Sequence, residues 1–160
     1  IGFGFAEFLA MQAEHPAADL ARFEWSWLAS FHAADARPLK LADFAGIEPD
    51  HLPGARVRAH PAARLVRQEP ATIARLGLTP ADDPALLIVR PEAEVRIVRP
   101  DTAMARLFGQ AGECITIGNL LATPPEPGGK DNLSPEDLMP ALIALIAAGA
   151  LQECPVCALC

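Results

Sequence analysis

The first fifty residues carry apolar positions at three- and four-residue spacing, a pattern typical of amphipathic helices. It predicts a long helix over residues 17–34 and shorter helices over 5–13 and 39–47. The long helix has one large apolar stripe with the spacing of a core-facing surface, made of Leu20, Phe23, Trp27 and Phe31. Pro38 lies where that helix must already have ended, because proline cannot continue it.

Beyond residue 50 the pattern changes to short runs rich in Leu, Ile and Val, which predict strands. One run covers residues 63–68, and two more form a hairpin over 85–100 around the turn "PEAE". Because side chains alternate along a strand, Val95, Ile97 and Arg99 face one way in the second hairpin strand, and Arg96 and Val98 face the other.

Three helices are predicted after the hairpin, over residues 101–112, 116–123 and 134–149. Asp101 suits the N-cap of the first, and Gly149 suits the end of the last. The order β, β, β, α, α, α is that of a winged-helix-like module. We therefore predict an α+β protein with three parts, namely a helical docking segment (1–50), a winged-helix-like domain (51–153) and a cysteine-containing tail (154–160).

The composition is that of a globular protein, with 51% hydrophobic and 21% charged residues. The longest apolar run, residues 138–151, is too short to span a bilayer and is predicted to be a buried helix. No signal peptide is visible near the start of the sequence. These features predict a cytoplasmic protein with no membrane contact.

Charge argues against a nucleic-acid partner. The net charge is −7, and only residues 51–110 are basic on balance, with nine basic and six acidic groups. Duplex recognition needs concentrated positive charge and base-reading side chains on the recognition helix. The helix in that position, 134–149, has no basic residue and carries Glu136 and Asp137 at its start. DNA binding is therefore the less favoured prediction.

The stretch "RFEWSWLASFHAADARPL" concentrates both tryptophans among ionisable side chains. Glu24, His32 and Asp35 fall on one helical face, which suggests a metal site or acid–base pair. Glu24 and His32 are two turns apart, however, about 12 Å along the axis, which is too far for one shared ion. The alternatives are a stacking platform for nucleic acid or a packing seam for a partner. Trp25 lies off the apolar stripe, which favours a partner.

Four cysteines are present, and three of them occupy the last seven positions. Cys154, Cys157 and Cys160 have a ligand-like spacing for zinc or an iron–sulfur cluster, but a closed site needs a fourth ligand such as Cys114. We expect all four to be reduced thiols, without a bound metal or cofactor. Because no catalytic constellation appears either, we predict that the protein is not an enzyme.

Three strings, "FGFAEFLA", "LARFEWSWLASFHAADARPLKLADFAGI" and "HPAARLVRQEPATIARL", make the sequence resemble the HvfC/BufC family of peptide-modification chaperones. The resemblance covers residues 2–151, more loosely in the middle and at the end. Members are often described only as DNA-binding domains. They usually carry a further N-terminal helical domain, which we expect this chain to lack.

The resemblance implies a non-catalytic protein that binds a ribosomally made precursor peptide. It also implies that the protein presents this peptide to a multinuclear iron oxidase, which modifies its cysteines. The β, β, β, α, α, α part is similar to small peptide-recognition elements that bind a leader peptide as an added strand. The alternatives are a winged-helix DNA-binding regulator and, least favoured, a metal-dependent enzyme.

Two sets of site residues follow from this interpretation. A peptide groove is expected between the second hairpin strand and the last helix, lined by Val95, Arg96, Ile97, Val98, Arg99, Leu138 and Leu142. Arg96 or Arg99 is expected to favour acidic side chains in the peptide. A partner interface is expected at Glu24, Trp25, His32 and Asp35.

Overall fold

The computed structural model describes residues 4–79, 84–122 and 135–154. Its helices are α1 (Phe5–Met11), α2 (His15–Phe31), α3 (Pro70–Arg75), α4 (Thr102–Gln110), α5 (Ile117–Ala122) and α6 (Pro135–Ala147). Its strands are β1 (Arg56–Ala59), β2 (Arg64–Arg67), β3 (Ala85–Val89), β4 (Arg96–Val98), β5 (Ile115–Thr116) and β6 (Leu151–Glu153). The α+β class is therefore confirmed.

The strands form two antiparallel three-stranded sheets. One has the order β2-β3-β4 and contains the predicted hairpin, in which Ile88 pairs with Ile97. The other has the order β5-β1-β6, with Val57 of the central strand paired to Ile115 on one side and Glu153 on the other. Only the first sheet was predicted.

Strand β3 separates two hydrophobic cores, and all five of its residues are buried. Because side chains alternate along a strand, Leu87 and Val89 enter the main core, while Leu86 and Ile88 enter the second core. The main core includes residues of α4, α5 and α6. It also includes Leu39, which belongs to the predicted docking segment.

Helix α2 buries a different face from the predicted one. Its buried residues are Ala18, Asp19, Phe23 and Ser30. Trp27 and Phe31 are 39% and 47% exposed, so the prediction that they complete a core stripe is wrong. Polar contacts fix the buried face instead, because the Ser30 hydroxyl donates to the Ala62 carbonyl and the Asp19 carboxylate accepts from the Glu69 amide, 2.8 Å away.

His60 joins the end of the N-terminal segment to the turn between β1 and β2. Its side chain is 2% exposed. Its Nδ1 atom accepts from the Ala62 amide at 3.2 Å, so its Nε2 atom carries the proton that it donates to the Ala36 carbonyl at 2.9 Å. The ring thus serves as a structural connector between the two segments.

Cys114 and Cys154 form a disulfide, with their Cα atoms 5.9 Å apart. The prediction that these two cysteines are reduced is therefore wrong. Cys114 precedes β5 and Cys154 follows β6, and both strands pair with β1, which brings together two positions 40 residues apart. Because β1 was not predicted, nothing in the sequence pattern indicated that these two cysteines lie together. Cys157 and Cys160 lie outside the described residues.

Candidate functional site

Strand β4 lies at the edge of its sheet. It pairs with β3 alone, and no backbone hydrogen bond joins residues 95–99 to any other described segment. Val95 and Ile97 pack on the second core and Val98 packs on the main core, so both faces of the strand are covered. What β4 offers a ligand is therefore its row of unpaired backbone N–H and C=O groups.

The last helix presents a different face from the predicted one. Leu138 and Leu142 are 2% and 3% exposed and lie in the main core, so they cannot line an open groove. The exposed apolar residues of α6 are Met139 and Ile143, at 40% and 43%, followed one turn later by Ala147. Their four-residue spacing makes a single stripe along the helix. Because α6 is apolar on nearly every side, its periodicity could not identify the core face.

A cavity of about 440 Å³ connects the start of β4 with the end of α6. Arg96 of β4 and Ala147 of α6 both line it, so the start of β4 and the last turn of the exposed α6 stripe face the same cavity. The remaining wall comes from residues 37–41, from Pro91 and Glu92 in the hairpin turn, and from Ile146 and Gly149. The outer edge of β4, the stripe Met139–Ile143–Ala147 and this cavity together are called the edge groove below.

Three cations line the cavity, namely Arg37, Lys40 and Arg96. The Arg37 guanidinium is bound to Asp43, and the Arg96 guanidinium lies 3.3 Å from the Glu94 carboxylate. The Lys40 backbone N–H and the Arg37 side chain hold the pKa of Asp43 below its usual range, so this carboxylate stays ionised at neutral pH. Lys40 was not recognised in the sequence as a site residue, because it is brought to β4 only by the tertiary fold.

At the opposite end of β4, Arg99 is already engaged. Its guanidinium donates to the Thr79 carbonyl. This contact holds the strand end against the segment after α3. Of the two arginines predicted to meet acidic side chains, Arg96 therefore lines the cavity and Arg99 makes an internal contact.

The N-terminal helices carry a second surface, the aromatic face. All its members are at least 39% exposed, and they are Phe5, Phe8, Met11, Trp25, Trp27, Leu28 and Phe31. The Trp27 and Phe31 rings are stacked, with centroids 6.1 Å apart and planes 3° apart. Exposed apolar patches of this kind on a globular protein commonly mark an interaction site.

The predicted interface residues lie on or beside this face, but they do not form one polar cluster. Glu24 and Trp25 are exposed on α2, and His32 packs edge-on against Phe31 with ring centroids 5.0 Å apart. The Asp35 carboxylate accepts from Arg90 at 2.9 Å, and Arg90 also donates to the Ser30 and Ala33 carbonyls. Asp35 and Arg90 thus anchor the end of α2 to the hairpin.

No three His, Cys, Asp or Glu side chains within residues 4–79, 84–122 and 135–154 are grouped as metal ligands would be. Neither a protein-family model nor a curated protein matches the chain. None of the helices in the described ranges combines the length and apolar character needed to cross a bilayer.

Proposed function

We propose that this protein binds an extended precursor peptide in the edge groove and presents it to a multinuclear iron oxidase. The peptide adds as a fourth strand to the outer edge of β4. The protein itself supplies binding and orientation, and the oxidase supplies the chemistry that modifies the peptide's cysteines. This role is the one that the resemblance to peptide-modification chaperones implies.

One observation carries the proposal, which is that the outer edge of β4 has no partner strand among the described residues and begins at a cavity that the end of α6 also lines. An added strand gains backbone hydrogen bonds that do not depend on its sequence, while pockets for alternate side chains give selectivity. The exposed side chains of Met139 and Ile143, on the turns of α6 before this cavity, are the apolar surface that we propose for those side chains. Methionine is well suited to such a wall, because its flexible thioether adapts to differently shaped partners.

The charge of α6 favours a peptide over DNA. Glu136 and Asp137 are exposed at its N-terminal end, the end that a recognition helix turns towards base edges. Phosphate groups would be repelled there. A neutral backbone pairing with β4 meets no such barrier.

Peptide binding can be tested with a display library of random dodecapeptides selected against the whole chain. Adjacent residues of a strand direct their backbone N–H groups to opposite sides. One of the variants Ile97→Pro and Val98→Pro should therefore lose at least tenfold in affinity for the selected peptide while remaining folded. The other should instead weaken the pairing with β3 and lower the melting temperature. If both variants keep full affinity, or no peptide is selected, the proposal is wrong.

The aromatic face is the proposed contact for the oxidase, and Trp25 is its test residue because it lies off the apolar stripe of the long helix. Trp25→Ala should lower the melting temperature but leave the protein folded, because Trp25 is 39% exposed and belongs to neither hydrophobic core. It should reduce co-purification with the multinuclear iron oxidase of the same host about tenfold, as expected for an aromatic residue central to an interface. Ile47→Ala is the matched control, since Ile47 is 37% exposed but lies off this face. Equal recovery of the oxidase with both variants, or unfolding of Trp25→Ala, would contradict this assignment.

A further inference from the structure

We infer that the cavity at the start of β4 selects an acidic residue of the bound peptide and that Lys40 determines this selectivity. The inference rests on the proposed function, because it concerns the peptide that occupies the edge groove. The preferred partner is therefore an extended peptide that carries a carboxylate at one end of the segment that pairs with β4.

The charges around the cavity support this class. Its lining has three cations and one carboxylate, that of Glu92. Asp43 and Glu94 already occupy the two arginines. No ion pair within 4.0 Å engages the Lys40 ammonium in the part of the chain that the structure describes, although its charge also helps to lower the pKa of Asp43. A carboxylate entering the cavity therefore meets three lining cations, and of these Lys40 is the one without a close ion pair among the described residues.

The position of the cavity makes it part of the peptide path. Arg96 is both the first residue of β4 and a lining residue. A strand advances about 3.3 Å per residue, so a peptide paired with the three residues of β4 continues into the cavity within one or two residues of the last backbone contact. The selected carboxylate thus lies next to the paired segment.

The wall of the cavity is held in place by contacts that do not depend on a bound peptide. Gly149 adopts a left-handed conformation with φ +70°, and a Cβ atom placed there would lie 2.5 Å from the Cβ of Pro91. The Ile146 and Leu145 carbonyls accept from the Gly149 and Ala150 amides at 2.9 and 3.0 Å. These bonds satisfy carbonyls at the negative end of α6, which would otherwise oppose an anion.

The negative net charge of the protein limits where an acidic peptide can bind. The chain has a net charge of −7, so an acidic peptide is repelled by most of its surface. Local cations must then account for any preference for carboxylates. The preference should weaken as ionic strength rises, because the cavity opens to solvent.

Two lysines occur in the sequence, Lys40 and Lys130, which permits a direct assignment. In a Lys130→Arg background, Lys40 is the sole ε-amine. A carbodiimide converts a carboxylate and a contacting amine to an amide with loss of water. Coupling of the library-selected peptide should therefore join one of its acidic side chains to Lys40, as located by mass spectrometry.

Affinity measurements complete the test. We expect selected peptides to contain Glu or Asp at one end of the paired segment. Glu→Gln in the peptide and Lys40→Glu in the protein should each weaken binding at least tenfold. Arg75→Glu makes the same change of charge at an exposed position of α3 and should have little effect. Selected peptides that bind but lack acidic residues, or that tolerate both changes, would overturn this inference and leave the proposed function standing. A failure to select any peptide would overturn both.

Discussion

Removing the Cys114–Cys154 bridge should lower the free energy of unfolding by about 4 kcal/mol, given the 40-residue separation of its cysteines. The bridge restricts the unfolded chain, and it joins the segments on both sides of central strand β1. For a chain of this size the loss corresponds to a fall of roughly 10 °C in melting temperature. Cys114→Ala is the preferred variant because Cys114 is exposed, so little packing is lost with the sulfur.

The control is the wild-type protein unfolded in the presence of a reductant. It should match Cys114→Ala, since both lack the bridge but keep Cys154 in the core. Cys154→Ala should be less stable than either, because Cys154 is 4% exposed and its removal also leaves a small cavity. If Cys114→Ala is as stable as the oxidised wild type, the bridge does not constrain this fold.

Gly149→Ala should destabilise the protein by about 3 kcal/mol in chemical denaturation. A non-glycine residue in the left-handed region costs about 1–2 kcal/mol. The new methyl group would also lie 2.5 Å from the Cβ of Pro91, and relieving such overpacking typically costs about 1–3 kcal/mol. Because Gly149 links α6 to β6 and packs against the hairpin turn, the variant should also weaken peptide binding.

Gly77 supplies a matched control for the conformational part of this cost. Its φ is +72°, yet no atom lies within 4 Å of where its Cβ would be. Gly77→Ala should therefore show the left-handed cost alone, and the difference between the two variants gives the cost of the collision with Pro91. Adding Pro91→Gly to Gly149→Ala should recover part of the lost stability. Equal losses at both glycines would contradict the proposed close packing.

The sequence allowed the β3–β4 hairpin and all three late helices to be predicted, because each has a clear period or cap. Asp101 does cap α4, accepting from the Met104 amide at 2.7 Å. The second sheet was not predicted, because β5 has only two residues and neither β1 nor β6 is a run rich in Leu, Ile and Val like those of the hairpin. The disulfide was not predicted either, because Cys114 comes near Cys154 only when β5 and β6 pair with β1.

The candidate site was predicted in part for a related reason. The strand residues around Arg96 were identified because an edge strand can be read from its position in a hairpin. The helix wall was placed on the wrong residues because Leu138, Met139, Leu142 and Ile143 are all apolar, and packing alone decides which pair is buried. Lys40 has no local signal, as its role depends on the fold bringing residues 37–41 to the hairpin turn.

Amide hydrogen exchange with and without the library-selected peptide tests whether a peptide adds as a strand to β4. We expect bound peptide to slow exchange at alternate residues of the 95–99 segment, those whose N–H groups point away from β3. Exchange at the inward-pointing N–H groups should change little. Binding that leaves all of these amides unchanged and protects α2 or another element instead would contradict strand addition at β4.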